Sequence, residues 1–211
     1  MDETDRVAGR AIKAVIFDFG NVLCRLDRSA GNRVLAGHSA LSPEEVDRKL
    51  WGGALERDAE TGKIDSRAQF ERIREALGSE PSWSYEEFTR EYMAYILPHP
   101  DGEAALVGAA KAGLRTFILS NTSFLHARGI FQNENLATIP ELHALSYKIG
   151  FMKPDPRCWV WILDRAGLRP EECVYVDDIQ AYCDAATALG IISIRYDPET
   201  DNLLQKLETV L

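Results

Sequence analysis

The chain has 211 residues, of which 45% are hydrophobic and 27% are charged, and its formal net charge is −9 at pH 7. This composition is typical of a soluble globular protein with one large domain, or with a core domain that carries an insert. The negative charge argues against nucleic acid as a partner, and no apolar run approaches the roughly 20 residues that span a bilayer.

Two further features of the sequence bear on the cellular compartment. The first ten residues are polar and acidic and contain no apolar signal segment. The cysteines Cys24, Cys158, Cys173 and Cys183 are widely spaced and lie in or beside apolar segments. We therefore expect them to be reduced and packed, in a cytoplasmic protein that does not bind a membrane.

The first predicted strand covers residues 14–17 (AVIF), which are all apolar and therefore suit a strand buried on both faces. Asp18 ends this apolar run, and Gly20 with Asn21 turns the chain soon afterwards. In open α/β sheets, ligands bind at the carboxyl ends of the strands. Asp18 is thus a candidate functional residue, although an aspartate at this position can also simply end a strand.

The next segment predicts helices and no strand. Residues 24–32 are expected to form a polar loop, and residues 33–97 carry helical signals. Ser42 followed by Pro43 is a helix start signal, and residues 67–77 and 84–96 repeat apolar side chains at helical spacing. We predict an all-helical cap at residues 29–97, inserted into a core formed by residues 1–28 and 98–211.

The remaining sequence alternates strands and helices. Strands are predicted at 115–119, 144–147, 173–176 and 191–194, and helices at 101–112, 123–131, 155–166, 180–189 and 201–211, with an irregular loop before residue 141. This alternation predicts an α/β fold with a Rossmann-like parallel sheet and helices on both faces.

Two later strand ends carry polar side chains that could meet Asp18. Ser120 and Asn121 follow the strand at 115–119, where a hydroxyl and an amide can hold a phosphate oxygen, or can simply cap the next helix. Asp177 and Asp178 follow the strand at 173–176. Adjacent carboxylates are costly to bring together without a cation, so a hard divalent ion such as Mg²⁺ is expected there. A solvated helix cap is the alternative.

A lysine completes this set of candidates. Lys153 lies in a proline-bracketed loop, residues 150–156 (GFMKPDP), just before a predicted helix. Such a lysine could neutralise both a nucleophilic carboxylate and a phosphoryl group, or it could be an ordinary surface residue.

Together these segments resemble the haloacid dehalogenase superfamily of aspartate-nucleophile hydrolases. The resemblance covers residues 18–23 (DFGNVL), 120–122 (SNT), 153–154 (KP) and 177–178 (DD), and the helical insert looks like the superfamily's cap. Residues 60–64 (ETGKI) look like the acidic-x-Gly-x-Ile turn of that cap. The first two motifs, with Leu125 and His126, are similar to those of sugar-phosphate phosphatases related to glucose-1-phosphatase.

The resemblance implies a mechanism of phosphate-ester hydrolysis. Asp18 would attack phosphorus and form an aspartyl-phosphate, which water then hydrolyses. Ser120 and the backbone amide of Asn121 would hold phosphoryl oxygens, and Lys153 would pair with both Asp18 and the phosphate.

The resemblance also implies a Mg²⁺ site. Its protein ligands would be the carboxylates of Asp18 and Asp178 and the backbone carbonyl of Gly20. Asp177 would lie behind these ligands and orient water around the metal.

Two positions depart from the superfamily pattern. Most of its phosphatases have a second Asp, acting as general acid and base, where Gly20 stands, and Asp27 and His38 are candidate replacements. Tyr182 stands where an Asp or Asn usually supports the metal, and Asp184 is expected to face elsewhere.

The predicted function is therefore Mg²⁺-dependent hydrolysis of a small phosphorylated metabolite, such as a sugar phosphate. One alternative is a dehalogenase-like enzyme that uses Asp18 on carbon without Mg²⁺. Another is a catalytically weak protein that binds a phosphate ligand. The sequence leaves the substrate and the oligomeric state open.

Overall fold

A computed structural model describes residues 11–211, so the polar stretch 1–10 lies outside the described residues. Seven strands occur in the described range: β1 (Ala14–Phe17), β2 (Cys24–Leu26), β3 (Ile96–Pro98), β4 (Arg115–Ser120), β5 (Leu142–Leu145), β6 (Cys173–Asp177) and β7 (Ile192–Arg195). Five of them form one parallel sheet in the order β5-β4-β1-β6-β7. The first predicted strand is therefore at the centre of the sheet.

Helices cover both faces of this sheet. Those that follow the cap segment are α6 (Pro100–Lys111), α7 (Phe124–Gln132), α8 (Glu134–Thr138), α9 (Ser146–Ile149), α10 (Arg157–Ala166), α11 (Gln180–Ala188) and α12 (Leu203–Glu208), with a 3₁₀ turn at Pro170–Glu172. Val15 and Phe17 of β1 pack with α6 and α12, whereas Ala14 and Ile16 pack with α10 on the opposite face. Alternate strand residues thus enter two apolar layers, and the predicted α/β fold is confirmed.

The inserted segment forms five helices: α1 (Arg28–Ala36), α2 (Pro43–Leu50), α3 (Ala54–Glu60), α4 (Ser66–Leu77) and α5 (Tyr85–Tyr92). Helix α2 begins where the sequence predicted, because Ser42 and Glu45 form a capping box in front of Pro43. These helices bury an apolar cluster around Phe70 and Phe88, which Leu125 of α7 joins from the core. The cap therefore has an apolar core to which α7 contributes.

A two-stranded antiparallel sheet joins the cap to the core, and the sequence did not predict it. Strands β2 and β3 pair Cys24 with Pro98 and Leu26 with Ile96. The polar loop expected at 24–32 and the helix expected to reach residue 96 were both wrong. Strands of three residues are too short to show a two-residue period, so the sequence gives them no signal. The proposed cap limits lie in α1 (residue 29) and in β3 (residue 97), and the domain division remains a prediction.

Smaller differences concern the second half of the chain. The strand expected at 144–147 lies at Leu142–Leu145 and is followed by α9, and α8 interrupts the stretch expected to be irregular. The cysteines are free and buried, as expected from their apolar surroundings. Among the described residues, none of the helices combines the length and apolarity required to cross a bilayer.

Candidate active site

The candidate residues converge because three neighbouring parallel strands end at one edge of the sheet. Asp18 directly follows β1, Ser120 ends β4 and Asp177 ends β6. In the ladders, Phe17 is paired with Ile118 on one side and with Val176 on the other. The strands therefore end side by side, where ligands of open α/β sheets bind.

Lys153 joins two of these strand ends from beneath the cleft. Its Nζ donates hydrogen bonds to Asp18 Oδ1 and to Asp177 Oδ2, each over 2.7 Å. Lys153 is 3% exposed and Asp177 is fully buried. Burial disfavours the charged ammonium, but the two carboxylates outweigh it and raise the pKa of Lys153. The lysine is therefore a buried cation held by two anions, and the surface alternative is wrong.

Asp177 is anchored by three hydrogen bonds, and its role in orienting water around a metal remains a prediction. Besides the bond from Lys153, Asp177 accepts hydrogen bonds from the Tyr175 hydroxyl and from the backbone N–H of Ile179, the latter over 2.8 Å. Through these contacts Asp177 holds Lys153 in place. It is not a solvated helix cap, because it is fully buried.

Three carboxylates could nevertheless share a cation here. Asp18, Asp177 and Asp178 each offer one oxygen, and these oxygens lie within 4.8 Å of one another. Burial raises the pKa of Asp18 to about 7, although Lys153 opposes that shift, and burial also raises the pKa of Asp178. A cluster of desolvated carboxylate oxygens suits a hard divalent ion, which would relieve the repulsion between them. The donor set thus fits Mg²⁺, and Gly20 lines the same cleft.

Asn21 holds one member of this cluster in place. Its backbone has φ = 55°, a left-handed conformation that asparagine tolerates better than most residues. In this turn its Nδ2 donates to Asp178 over 3.0 Å, and its Oδ1 accepts from the backbone N–H of Leu26 in β2 over 3.2 Å. The sequence identified Asn21 only as a turn residue, because the direction of its amide depends on the fold.

Ser120 and Asn121 lie at the other side of Asp18 and line the cleft. The two groups of the Asn121 side chain bind the backbone of Lys153: Oδ1 accepts from its N–H over 2.7 Å, and Nδ2 donates to its carbonyl over 3.0 Å. The side chain thus fixes the lysine loop, a role that the sequence did not predict. Ser123, and not Ser120, caps α7, so the capping alternative for Ser120 is wrong.

The cap closes the cleft from above. The cavity has a volume of about 660 Å³, and its cap-side lining carries charged and polar groups. The sequence did not identify five of the charged or titratable lining residues, which are Arg28, Glu56, Arg57 and Glu60 of the cap and His126 of α7. Their approach to Asp18 depends on how the cap packs on the core, which periodicity does not reveal.

The candidate replacements for the absent second Asp lie elsewhere. Asp27 caps α1 by accepting from the backbone N–H of Ala30, and His38 pairs with Glu91 over 2.8 Å outside the cleft lining. At the second departure, the ring of Tyr182 lies 5.0 Å from Lys153 Nζ. Asp184 is exposed and accepts from Gln180, so it faces away as expected.

Comparisons with known proteins agree with this fold. Residues 12–190 match the haloacid dehalogenase-like hydrolase family. The chain is 31% identical over 189 residues to Phosphatase MT3486 of Mycobacterium tuberculosis, with 86% of this chain and 85% of that protein covered. It is also 31% identical over 97 residues to (S)-2-haloacid dehalogenase 1 of a Pseudomonas species, covering 46% and 43% of the two chains.

A solved structure shares the fold at lower identity. A haloacid dehalogenase (HAD) family enzyme of Bacteroides thetaiotaomicron, solved in complex with magnesium and inorganic phosphate, superposes with a TM-score of 0.76 at 24% identity. The superposition covers 90% of this chain and 97% of that one. Given the family match over most of its length, the chain belongs to the haloacid dehalogenase-like hydrolases.

Proposed function

We infer that this protein is a Mg²⁺-dependent phosphatase that hydrolyses a small phosphate ester through an aspartyl-phosphate on Asp18. The observation that carries the proposal is the contact of buried Lys153 with Asp18, beside a cluster of three carboxylate oxygens. A nucleophilic carboxylate, a fixed cation and an oxygen-only metal site are the components that phosphoryl transfer requires. The phosphatase relative and the magnesium–phosphate complex of the structural neighbour support it.

Each residue would have a distinct task. Asp18 attacks phosphorus, and the bond to the leaving oxygen breaks; water then attacks the same phosphorus and frees Asp18. Lys153 offsets charge on Asp18 and on the phosphoryl group. Ser120 and the backbone N–H of Asn121 hold phosphoryl oxygens.

The carboxylates of Asp18 and Asp178, with the carbonyl of Gly20, would hold Mg²⁺. The bound ion supplies charge neutralisation for the phosphoryl oxygens. Its protein ligands and the cleft fix where the phosphate lies relative to Asp18.

The size of the cleft favours a metabolite over a macromolecule. A cavity of about 660 Å³ between the cap and the core is in the range of sites for small ligands. A sugar phosphate would suit the charged and hydrogen-bonding groups of the cap. The likeness to glucose-1-phosphatase remains a prediction.

A phosphate-release screen against phosphorylated metabolites, with Mg²⁺ or with excess chelator, tests this function. We expect release that depends on Mg²⁺ and falls by at least about 10³-fold in Asp18→Asn, because no nucleophile remains. Asp184→Asn, which changes an exposed carboxylate outside the cleft lining, serves as the matched control. No release from any ester in the presence of Mg²⁺ would contradict the proposal.

Carbon–halogen hydrolysis is the second candidate. The relative named (S)-2-haloacid dehalogenase 1 and the absence of a carboxylate at Gly20 favour it. Asp178 argues against it, because an enzyme of that type does not need a third carboxylate for a metal. Halide release from 2-haloacids in the presence of chelator would support the dehalogenase instead of the phosphatase.

A further inference from the structure

We propose that Glu60, at the end of cap helix α3, protonates the leaving-group oxygen and then takes a proton from the attacking water, in place of the carboxylate that position 20 lacks. This inference rests on the proposed phosphatase function. It assigns to the cap a proton-transfer step, in addition to closure of the cleft.

Position 20 is a glycine and therefore supplies no proton donor. A Cβ added to Gly20 would lie 3.0 Å from Leu26 Cδ1, a separation tighter than ordinary van der Waals contact. Leu26 belongs to β2 and is fixed there by pairing with Ile96 of β3. Leu26 Cδ1 is at the tip of a flexible side chain and would have to shift by only a few tenths of an ångström. The proton donor comes from another element because glycine at position 20 has no ionisable side chain.

Other ionisable groups that line the cleft are already engaged. His126 lies 2.7 Å from the Tyr95 hydroxyl, and burial lowers its pKa to about 3, so at neutral pH it has no acidic proton to give. Glu56 accepts from the backbone N–H of Gly52 over 2.5 Å. Asp155 is paired with the guanidinium of Arg157 outside the catalytic centre.

Glu60 differs from these groups. It is half-buried, lines the same cleft as Asp18 and Lys153, and forms neither a hydrogen bond nor an ion pair with any residue in 11–211. Burial, reinforced by the like charge of Glu56, raises the pKa of Glu60 to about 8. A general acid works best when its pKa is near the operating pH, and a neutral carboxylic acid can donate at pH 7.

The groups around Glu60 come from both halves of the cleft. The charged groups that act on its carboxyl are Glu56 on its own helix, Arg28 of α1, and Lys153 and Asp18 of the core. The hydroxyls of Tyr92 and Tyr182 are also close enough to be affected by its charge. Arg28 and Lys153 favour the carboxylate that forms after proton donation, so both protonation states of Glu60 are accessible.

The turn after α3 fixes this helix end to the core. Gly62 has φ = 70°, and a Cβ at this position would lie only 2.3 Å from the Tyr147 carbonyl oxygen. Helix α3 thereby packs on α9 of the core. This close approach holds the end of α3 against the core, with no side chain between the turn and the core backbone, and Glu60 lines the cleft at this point.

The proton balance of the two steps is closed. In the first, Asp18 bonds to phosphorus, the ester oxygen leaves with the Glu60 proton, and an alcohol and a Glu60 carboxylate result. In the second, that carboxylate takes a proton from water as the water oxygen attacks phosphorus. The bond from phosphorus to Asp18 breaks, and inorganic phosphate, the Asp18 carboxylate and protonated Glu60 are regenerated.

Glu60→Gln tests this assignment, because a missing acid matters only for poor leaving groups. We expect kcat to fall at least about 10²-fold for alkyl phosphates and less than about 3-fold for 4-nitrophenyl phosphate, whose leaving group needs no proton. The wild-type activity on alkyl phosphates should decline above pH 8, and Glu60→Gln should lose that decline. Glu56→Gln, which removes a like charge, should keep the leaving-group pattern and shift the decline to lower pH.

A measurement independent of turnover accompanies the kinetics. The carboxyl ¹³C resonance of Glu60, assigned by its absence in Glu60→Gln, should titrate with a midpoint of about 8. Equal losses on both esters, or a midpoint in the ordinary range of glutamates, would overturn the role of Glu60 while the phosphatase function stands. If the wild type hydrolyses no ester with Mg²⁺, the proposed function fails together with this inference.

Discussion

The core side and the cap side of the cleft, called here its floor and its roof, differ in how many contacts hold their charged side chains. The floor, formed by Asp18, Lys153, Asp177 and Tyr175, is a continuous set of buried hydrogen bonds and ion pairs. The roof, formed by cap residues, has fewer such contacts: within residues 11–211 the side chains of Glu60 and Arg57 form no hydrogen bond or ion pair, and Glu56 accepts from one backbone N–H. The floor is organised before any ligand arrives, whereas the charges of the roof are free to interact with the leaving group.

This difference in contacts follows from the secondary structure that forms the floor and the roof. The floor lies at the ends of strands buried on both faces, where an unpaired charge would be prohibitively costly. The roof lies at the end of α3, a helix of seven residues that faces the cavity on one side. Substitutions in the floor should therefore cost stability, whereas substitutions in the roof should mainly alter the chemistry on substrates.

Among substitutions in the floor, Lys153→Met is expected to cause the largest loss of stability. It leaves Asp18 and Asp177 buried without their cation, and we expect a loss of about 3–5 kcal/mol in the free energy of unfolding at pH 7. Arg57→Met, an arginine of the roof, should change it by less than about 0.5 kcal/mol. Urea unfolding of both variants gives the comparison, and similar losses would remove the distinction between the floor and the roof.

The contact between the cap and the core is tested by Gly62→Ala. The added Cβ would meet the Tyr147 carbonyl in a left-handed backbone, so we expect a loss of about 2–3 kcal/mol and a raised KM. Gly78→Ala has a similar φ of 63° but no neighbour within 4 Å, and should lose only about 1 kcal/mol. Thermal unfolding measures the stability of both variants. Equal losses would show that the contact of the Gly62 turn with the Tyr147 carbonyl does not contribute to stability.

A milder change to the floor is Tyr175→Phe. It removes one donor to Asp177 but leaves Lys153 and the backbone N–H of Ile179 in place, so we expect a loss of about 1–2 kcal/mol and a modest fall in kcat. Urea unfolding and steady-state kinetics provide the values. A loss as large as that of Lys153→Met would indicate that the hydroxyl, and not the ion pair, holds the floor.

The smallest expected effect has the opposite sign. In the folded protein the pKa of Glu60 is raised from 4.5 to about 8, so the folded state binds the proton more tightly and stability falls as pH rises between these values. The full shift would correspond to about 4 kcal/mol at pH 8, and the solvent that reaches half-buried Glu60 screens part of it. Glu60→Gln should remove this loss and be more stable than the wild type at pH 8, by on the order of 1 kcal/mol. At pH 4 the two should be equal, and urea unfolding at both pH values tests this.

The sequence was most informative about the floor. Asp18, Ser120 and Asp177 were recognisable because each follows an apolar run, and parallel strands bring such positions to one edge. It was less informative wherever function depends on the direction of a side chain. The Asn121 amide that binds the Lys153 backbone belongs to this class, and so do the contacts of Asp177.

The cap was harder to predict for a different reason. Its helices have periodic signals, but nothing local specifies how they pack on the core. The E-x-G-x-I motif at residues 60–64 showed that a turn follows α3, and only the contact of Gly62 with Tyr147 shows that this turn brings Glu60 to the cleft. The small sheet of β2 and β3 was missed because its two strands are some 70 positions apart and three residues long.

The pairing of β2 with β3 makes the helical insert a unit that could be removed from the chain. Because Leu26 and Ile96 are paired, the chain leaves the core and returns to it at nearly the same point. A short turn joining these two residues would delete all five cap helices without stretching the remaining backbone. The shortened protein would keep the network around Lys153 without the cap above it, so larger phosphate esters such as phosphorylated peptides should reach Asp18 more easily.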